Sequence, residues 1–176
     1  IDATKPLILS LDWGVFLSAT VAQQYPNEYR VLKSLWVQQP KDIEDLIRDF
    51  SDYYHDHPHK VVRLYYGHDG NQRSRRGKGE TYGDEMARLL RAKGWRVNDK
   101  SKGKAAARHN DKYMLINLML KQTSSKYPKI TINEHNNPDL IISLERAEAK
   151  EGKNGIEKVK KDERNSSIKQ EHATHL

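Results

Sequence analysis

The chain has 176 residues, a length that suits one domain with its own hydrophobic core. It carries 31 Lys and Arg residues against 24 Asp and Glu residues, a formal net charge of +7, and this excess favours a polyanionic partner. A basic protein without a nucleic-acid role is the alternative, because a high isoelectric point is a weak signal. The absence of cysteine excludes disulfides, thiolate zinc sites and cysteine nucleophiles.

The sequence shows neither a membrane-spanning segment nor a signal peptide. No apolar stretch approaches the roughly 20 residues that a membrane-spanning helix needs, and the N-terminus lacks the basic and apolar regions of a signal peptide. Ile1 is not a start methionine, and the last residues, EHATHL, read as the first turn of a helix. We therefore interpret the chain as a piece of a longer protein, cut before its C-terminus.

The first part of the chain predicts three strands and a helix. Residues 6–12 form an apolar run, and residues 15–23 and 28–37 are β-rich with a turn sequence between them. Three consecutive strands predict an antiparallel meander. Apolar residues then recur at helical spacing over residues 40–54.

The rest of the chain alternates strands and helices, which predicts a mixed sheet flanked by helices. The most apolar of the helices is expected at the centre of the core. The polar stretch over residues 150–170 predicts an exposed β-hairpin or a flexible segment. The remaining predicted elements are strands at 61–67, 95–97 and 129–133 and helices at about 80–93, 110–122 (the most apolar) and 138–148.

Two aspartates close predicted strands. Asp12 follows LILSL and Asp69 follows VVRLYYGH. An ionised carboxylate at the end of a buried strand is costly unless a positive charge offsets it, and carboxylate oxygens are the ligands that Mg²⁺ and Mn²⁺ prefer. The sequence therefore indicates a divalent-metal site for phosphodiester chemistry. The alternative is that each aspartate caps a turn, because Asp-Trp-Gly and Asp-Gly-Asn are good turn sequences.

Several segments together resemble one known family. LILSLDWG followed by two strands, and VRLYYGHDGN heading a basic loop, resemble the nuclease domain of the large subunit of tailed-phage DNA-packaging terminases. HNDKYMLINLMLKQ, KITINEHNNPDLIISLERA and the final ATHL are similar to it in order and spacing. The resemblance implies an α/β fold of the ribonuclease-H-like kind, a mixed β-sheet flanked by helices. It also implies endonucleolytic cutting of concatemeric viral DNA, in which two Mg²⁺ or Mn²⁺ ions assist the hydrolysis.

The same resemblance implies the ligands of those ions. Asp12 and Asp69 match the first two acids, with Asp12 bridging both ions. His175 matches a position that lies beside the metals in some members of the family, and an ordinary polar residue on a frayed helix turn is the alternative. The third acid of the family lies just after ATHL, beyond the last residue here. Asp162 and Glu163 could substitute for it, although a solvated run of charges explains them better.

Two basic segments predict contacts to DNA phosphates without base specificity. One follows Asp69 directly, and the other spans residues 91–112. Nearby glycines allow the backbone to approach a phosphate closely, whereas two solvated loops are the alternative. The residues assigned to DNA binding are Arg73, Arg75, Arg76, Lys78, Lys102 and Lys104.

Two other motifs are interpreted as lacking a catalytic role. His55, His57 and His59 could bind zinc or nickel, but Pro58 interrupts helical spacing, and we expect loop histidines. The glycine-rich segments GHDGN and RGKGE lack the phosphate-loop signature of an ATPase. The ATPase domain that the resemblance implies would therefore lie upstream of Ile1.

The resemblance also implies partners and alternatives. Double-stranded DNA is the expected substrate, with an upstream ATPase domain and other packaging-motor components as partners and no membrane. The expected location is the cytoplasm of a bacterial host, for a protein encoded by a phage or prophage. Two other functions stay open: a different ribonuclease-H-like nuclease of the Holliday-junction-resolvase type, and a catalytically inactive module that binds DNA or docks on a motor.

Overall fold

The computed structural model describes residues 1–14, 16–74, 79–105, 107–123, 125–152 and 155–159. These residues form strands and helices in close agreement with the predicted order. The strands are β1 (Leu7–Trp13), β2 (Leu17–Tyr25), β3 (Glu28–Val37), β4 (Val61–Tyr66), β5 (Arg96–Asp99), β6 (Lys129–Ile132), β7 (Ala149–Gly152) and β8 (Gly155–Lys158). The helices are α1 (Ile43–Tyr53), α2 (Tyr82–Ala92), α3 (His109–Lys121) and α4 (Pro138–Glu145).

Six strands form one mixed sheet in the order β5-β4-β1-β2-β3-β6. Strands β1, β2 and β3 are the predicted antiparallel meander. Strand β4 pairs parallel to β1 and β5 pairs parallel to β4, while β6 pairs parallel to β3 at the other edge. The predicted α/β class, a mixed sheet flanked by helices, is therefore confirmed.

One face of the sheet carries the main core, under α1 and α2. Leu9 of β1 and Leu64 of β4 are in register and are both fully buried. They belong to one cluster with Phe50 of α1 and Met86 of α2. Burying each such side chain contributes about 1.5–3 kcal/mol, so this layer holds β1 and β4 side by side.

Both core helices begin at side-chain caps. Asp42 accepts a hydrogen bond from the backbone of Glu44 at 2.8 Å, and Asp45 accepts one from the backbone of Asp42 at 2.9 Å. Thr81 accepts a hydrogen bond from the backbone of Asp84 at 3.1 Å. These caps satisfy backbone donors that a helix leaves unpaired at its first turn.

Helix α3 lies at the surface, so the prediction that it is central in the core was wrong. Met114, Leu115 and Ile116 are 49%, 41% and 42% exposed, and the helix packs against β6 and β8. Apolar residues surround the helix on all sides, and such a pattern indicates burial only where neighbours cover every side. In the described structure, that condition is not met.

The polar segment after α4 begins with a two-stranded hairpin. Strands β7 and β8 pair antiparallel, from Ala149 opposite Lys158 to Gly152 opposite Gly155. Residues 160–176 lie outside the described residues. None of the described helices has both the length and the apolar character that a membrane span requires.

Tyr66, at the end of β4, fixes the turn that follows this strand. The side chain is 8% exposed, and its hydroxyl donates a hydrogen bond to Asp99 Oδ2 at 2.8 Å. A Cβ added at Gly70 would lie 2.2 Å from the Tyr66 ring, and one at Gly83 would lie 2.4 Å from it. The ring therefore packs directly on the backbone of the turn and of α2, and only glycine permits this approach.

We expect Gly70→Ala to destabilise the protein, because the added methyl group would overlap the Tyr66 ring. Overpacking of this kind costs about 1–3 kcal/mol of unfolding free energy. Gly67→Ala is the matched control, since Gly67 has φ −71° and no heavy atom within 4 Å of its ideal Cβ. Urea denaturation should show a lower midpoint for Gly70→Ala alone. Equal midpoints for the two variants would contradict this packing.

Candidate active site

The two predicted metal ligands lie near the C-terminal ends of two neighbouring strands, β1 and β4. Leu11 of β1 is in parallel register with Tyr66 of β4, so the two strands end together. Asp12 comes directly after Leu11, and Asp69 lies in the 3-10 turn His68–Asn71 that follows β4. Because neighbouring strands are about 4.8 Å apart, the fold brings two residues that are distant in sequence to adjacent strand ends.

Asp12 projects from the sheet face opposite α1 and α2. Side chains alternate along a strand, and Leu11 belongs to the core, so Asp12 points the other way and is exposed. No described residue forms a hydrogen bond or ion pair with its carboxylate. The expected cost of burial therefore does not arise, and the carboxylate does not cap the following turn. Its oxygens are accessible to a ligand.

Asp69 is held by its neighbours in the turn. Its Oδ1 accepts a hydrogen bond from Gln72 Nε2 at 2.9 Å and lies 3.1 Å from His68 Nε2. The side chain is 39% exposed. The turn is closed by Gln72 N, which donates to the backbone oxygen of Asp69 at 3.0 Å. Asp69 is thus oriented by side-chain contacts and remains open to solvent.

The chemistry of these donors fits a hard divalent cation, for which carboxylate oxygens are the preferred ligands. Among the described residues, no cluster of three or more His, Asp or Glu side chains could hold a metal ion. Asp12 and Asp69 supply two carboxylates of this kind. Asp162, Glu163 and His175 lie outside the described residues.

The predicted DNA-binding residues have different surroundings. Arg73 is exposed, and its backbone forms an isolated β-bridge with Thr81. Lys104 is also exposed and has no ion pair with any described residue. Lys102 instead donates a hydrogen bond from Nζ to Asp84 Oδ1. The remaining three residues, Arg75, Arg76 and Lys78, are not among the described residues.

Asp84 and Lys102 form a mutually stabilised pair at the start of α2. The hydrogen bond from Lys102 lowers the pKa of the Asp84 carboxyl, and the same contact raises the pKa of Lys102. The charge of Lys102 is therefore balanced locally. Of the lysines predicted to bind DNA, Lys104 is the better placed to meet a phosphate.

The histidine motif makes structural contacts in a loop, in agreement with the sequence interpretation. His57 is buried, and its Nε2 lies 2.9 Å from the backbone oxygen of Lys5. The Nδ1 of His55 lies 2.8 Å from the backbone oxygen of Asp52. These ring nitrogens contact backbone oxygens: His55 makes a local contact, and His57 ties the loop to the segment before β1.

Sequence reasoning missed three residues that support the site. Tyr66 packs under the Asp69 turn, Asp99 accepts the hydrogen bond from Tyr66, and Asn71 bonds to a loop that follows β5. Their partners lie about thirty positions away along the chain. Local sequence patterns do not predict contacts between residues so far apart in the chain.

Replacing Lys102 with methionine should raise the pKa of Asp84 towards its ordinary value of about 3.9, because the lowering hydrogen bond is lost. A carboxyl whose pKa is lower in the folded state stabilises that state above its unfolded pKa and loses the contribution as the pH falls. The wild-type protein should thus lose this stabilisation below about pH 4, and Lys102→Met should lack the part that Lys102 supplies, while the hydrogen bonds with Thr81 remain. NMR titration of the Asp84 carboxyl measures the change. Lys104→Met is the control, and an unchanged Asp84 pKa in Lys102→Met would contradict the pairing.

Comparison with known proteins finds similarity in structure alone. No protein-family model matches the chain, and no curated protein matches it in sequence. The large terminase of a thermophilic bacteriophage aligns with a TM-score of 0.58 and 14% identity over 98% of this chain and 40% of that protein. The same terminase solved in complex with ADP aligns with a TM-score of 0.58 and 15% identity over 97% and 38% of the two chains.

A second protein aligns over most of both chains. The human cytomegalovirus terminase nuclease domain has a TM-score of 0.51 and 12% identity, over 81% of this chain and 76% of that domain. By contrast, this chain spans about two fifths of the length of the thermophilic phage terminase, 40% of it. The ribonuclease-H-like arrangement expected from the sequence is confirmed, and the chain has the fold of the nuclease domain of terminase large subunits.

Proposed function

We propose that this chain is the metal-dependent DNA endonuclease domain of a viral genome-packaging terminase, which cuts concatemeric DNA. One observation carries the proposal: Asp12 and Asp69 project at the shared carboxyl edge of β1 and β4, in the fold of a terminase nuclease domain. Both side chains are accessible to solvent. A cation and a phosphodiester could therefore reach them together.

Asp12 and Asp69 would hold the two Mg²⁺ or Mn²⁺ ions through their carboxylate oxygens. Bound divalent ions supply an activated water and stabilise the charge on the leaving oxygen. The turn that carries Asp69 is packed on Tyr66, and Gln72 orients its carboxylate. Such rigid support matters because a metal ligand must be held in place before the ion binds.

Exposed cations beside the acids would hold the DNA. Arg73 follows Asp69 by four positions, and Lys104 is accessible on a neighbouring loop. We assign phosphate contacts to both and retain Arg75, Arg76 and Lys78 in the proposal. Lys102 would act mainly through its pair with Asp84. Contacts of this kind position a duplex without reading its sequence.

The length comparison supports further partners. The thermophilic phage terminase was solved in complex with ADP and is much longer than this chain, which covers 38% of it. We infer that the parent protein includes an upstream ATPase domain and works with other packaging-motor components. The location that follows is the cytoplasm of a bacterial host, for a protein encoded by a phage or prophage.

A second candidate is a catalytically inactive DNA-binding or motor-docking module. The observation that favours it is the partial donor set, because the described residues supply two carboxylates and no third ligand. Such a module would bind DNA with an affinity that falls as salt rises and would not cut it. The two functions therefore differ in a direct assay.

Asp12→Asn should reduce Mn²⁺-dependent nicking of a supercoiled plasmid by at least about 100-fold, since even outer-shell changes at metal sites cost 10–100-fold. The substitution keeps the side chain's shape and removes its charge. Asp49→Asn is the matched control, because Asp49 lies on α1, which packs on the opposite face of the sheet. Gel electrophoresis measures the nicked product, and circular dichroism checks the fold.

Nicking by Asp12→Asn at the wild-type rate would refute the assignment of Asp12. If the wild-type protein binds duplex DNA but cuts none with Mg²⁺ or Mn²⁺, the inactive module is the better description. A strong preference for four-way junctions over linear duplex would identify the resolvase type instead.

A further inference from the structure

The side chain of Asn71 joins the turn that carries Asp69 to a second loop. Asn71 Oδ1 accepts a hydrogen bond from Gly103 N at 3.0 Å, and its Nδ2 lies 3.4 Å from the backbone oxygens of Ser101 and Lys104. We call residues 100–104 the lysine loop, since Lys100, Lys102 and Lys104 alternate along it. Asn71 thus holds this loop against the turn, two positions after Asp69.

The lysine loop has a defined shape. Lys104 N donates to the backbone oxygen of Ser101 at 3.0 Å, which closes a tight turn. Gly103 lies at the third position of this turn with φ +67°, a conformation that glycine adopts without strain. Asp99 Oδ1 accepts hydrogen bonds from the backbones of Ser101 and Lys102 at 3.0 and 2.9 Å. Side chains therefore secure the loop from both sides.

The three lysines of the loop are not equivalent. Lys102 is paired with Asp84. Lys104 is exposed and Lys100 is half-buried, and neither forms an ion pair with a described residue. Lys100 and Lys104 therefore present positive charge beside the Asp69 turn that no described acid pairs with. The ion pair between Lys102 and Asp84 ties the loop to α2.

We propose that Asn71 is a positioning residue that holds the lysine loop so that Lys104 contacts a backbone phosphate of duplex DNA bound at Asp69. This inference rests on the proposed function and adds a route by which the metal-binding turn and the DNA-binding loop are fixed relative to each other. A lysine on a preformed loop loses less conformational freedom on binding than one on an unrestrained loop. The contact is to phosphate, so it is independent of sequence.

The test measures DNA binding separately from cleavage. Fluorescence anisotropy of a labelled duplex of arbitrary sequence is recorded with EDTA present, over a range of salt concentrations. Lys104→Ala should reduce the magnitude of the negative slope of log K against log[salt] by about 1. Asn71→Ala should reduce the magnitude of this slope by a similar amount, although Asn71 carries no charge. The double variant should show little further loss, because both changes remove the same contact.

Two controls separate this role from a general loss of structure. Asn117→Ala removes an asparagine of α3 whose side chain donates to Tyr113 O within its own helix, and it should bind DNA like the wild-type protein. Gly103→Ala strains the backbone of the lysine loop itself, because Gly103 has φ +67°. It should reduce the magnitude of the salt slope as Asn71→Ala does. Gly94→Ala carries similar strain, since Gly94 has φ +85° and equally open space, and it should leave the salt slope unchanged.

Steady-state nicking with Mn²⁺ adds a readout that a structural defect would not reproduce. In Asn71→Ala, KM for DNA should rise by a larger factor than kcat falls. Wild-type DNA affinity in both Asn71→Ala and Gly103→Ala would overturn the inference, as would fully additive losses in the Asn71→Ala, Lys104→Ala pair. If the wild-type protein cuts DNA in an Asp12-dependent manner while those losses are absent, only the positioning role fails. If the wild-type protein neither binds nor cuts DNA, the proposed function itself fails.

Discussion

The parallel pairing of β1 and β4 is the constraint on which the site depends. Leu9 and Leu64 face each other in this pair and are buried under the helices. A slip of one residue would turn a whole strand's apolar side chains to the opposite face, so the core enforces this register. The same register places Asp12 on the face opposite α1 and α2 and starts the Asp69 turn after the neighbouring strand. The hydrophobic core and the candidate site are thus fixed by one interaction.

Beyond the end of β4 the chain leaves the sheet, and it is held there by side-chain packing on the backbone and by polar contacts instead of strand pairing. Tyr66 lies against Gly70 and Gly83, which fixes the height of the Asp69 turn above the core. Asn71 then joins the turn to the lysine loop. The acids and cations are therefore carried by one connected unit, in which Asp84 neutralises Lys102 and leaves Lys104 open. Net charge alone does not distinguish these two lysines.

Helix α3 shows where periodicity misleads. Its sequence is apolar on every side, and the expectation of a central position followed from that pattern. The helix instead lies beyond β6, at the edge of the sheet, and packs against β6 and β8. The sequence of a helix shows which of its faces are apolar. How many of those faces are buried depends on the elements that the fold packs against the helix.

The sequence by itself determined the order of the elements and put Asp12 near the end of β1 and Asp69 shortly after β4. Apolar spacing and turn sequences act over a few positions, so they can be read along the chain. Tertiary structure decided which strands are neighbours, that Asp12 is exposed, that Lys102 is paired, and that Asn71 meets the lysine loop. Asn71 and Ser101 are 30 positions apart, and contacts at that separation arise only when the core has fixed β4 beside β5. Local preferences act within one element, and the site is made of contacts between elements.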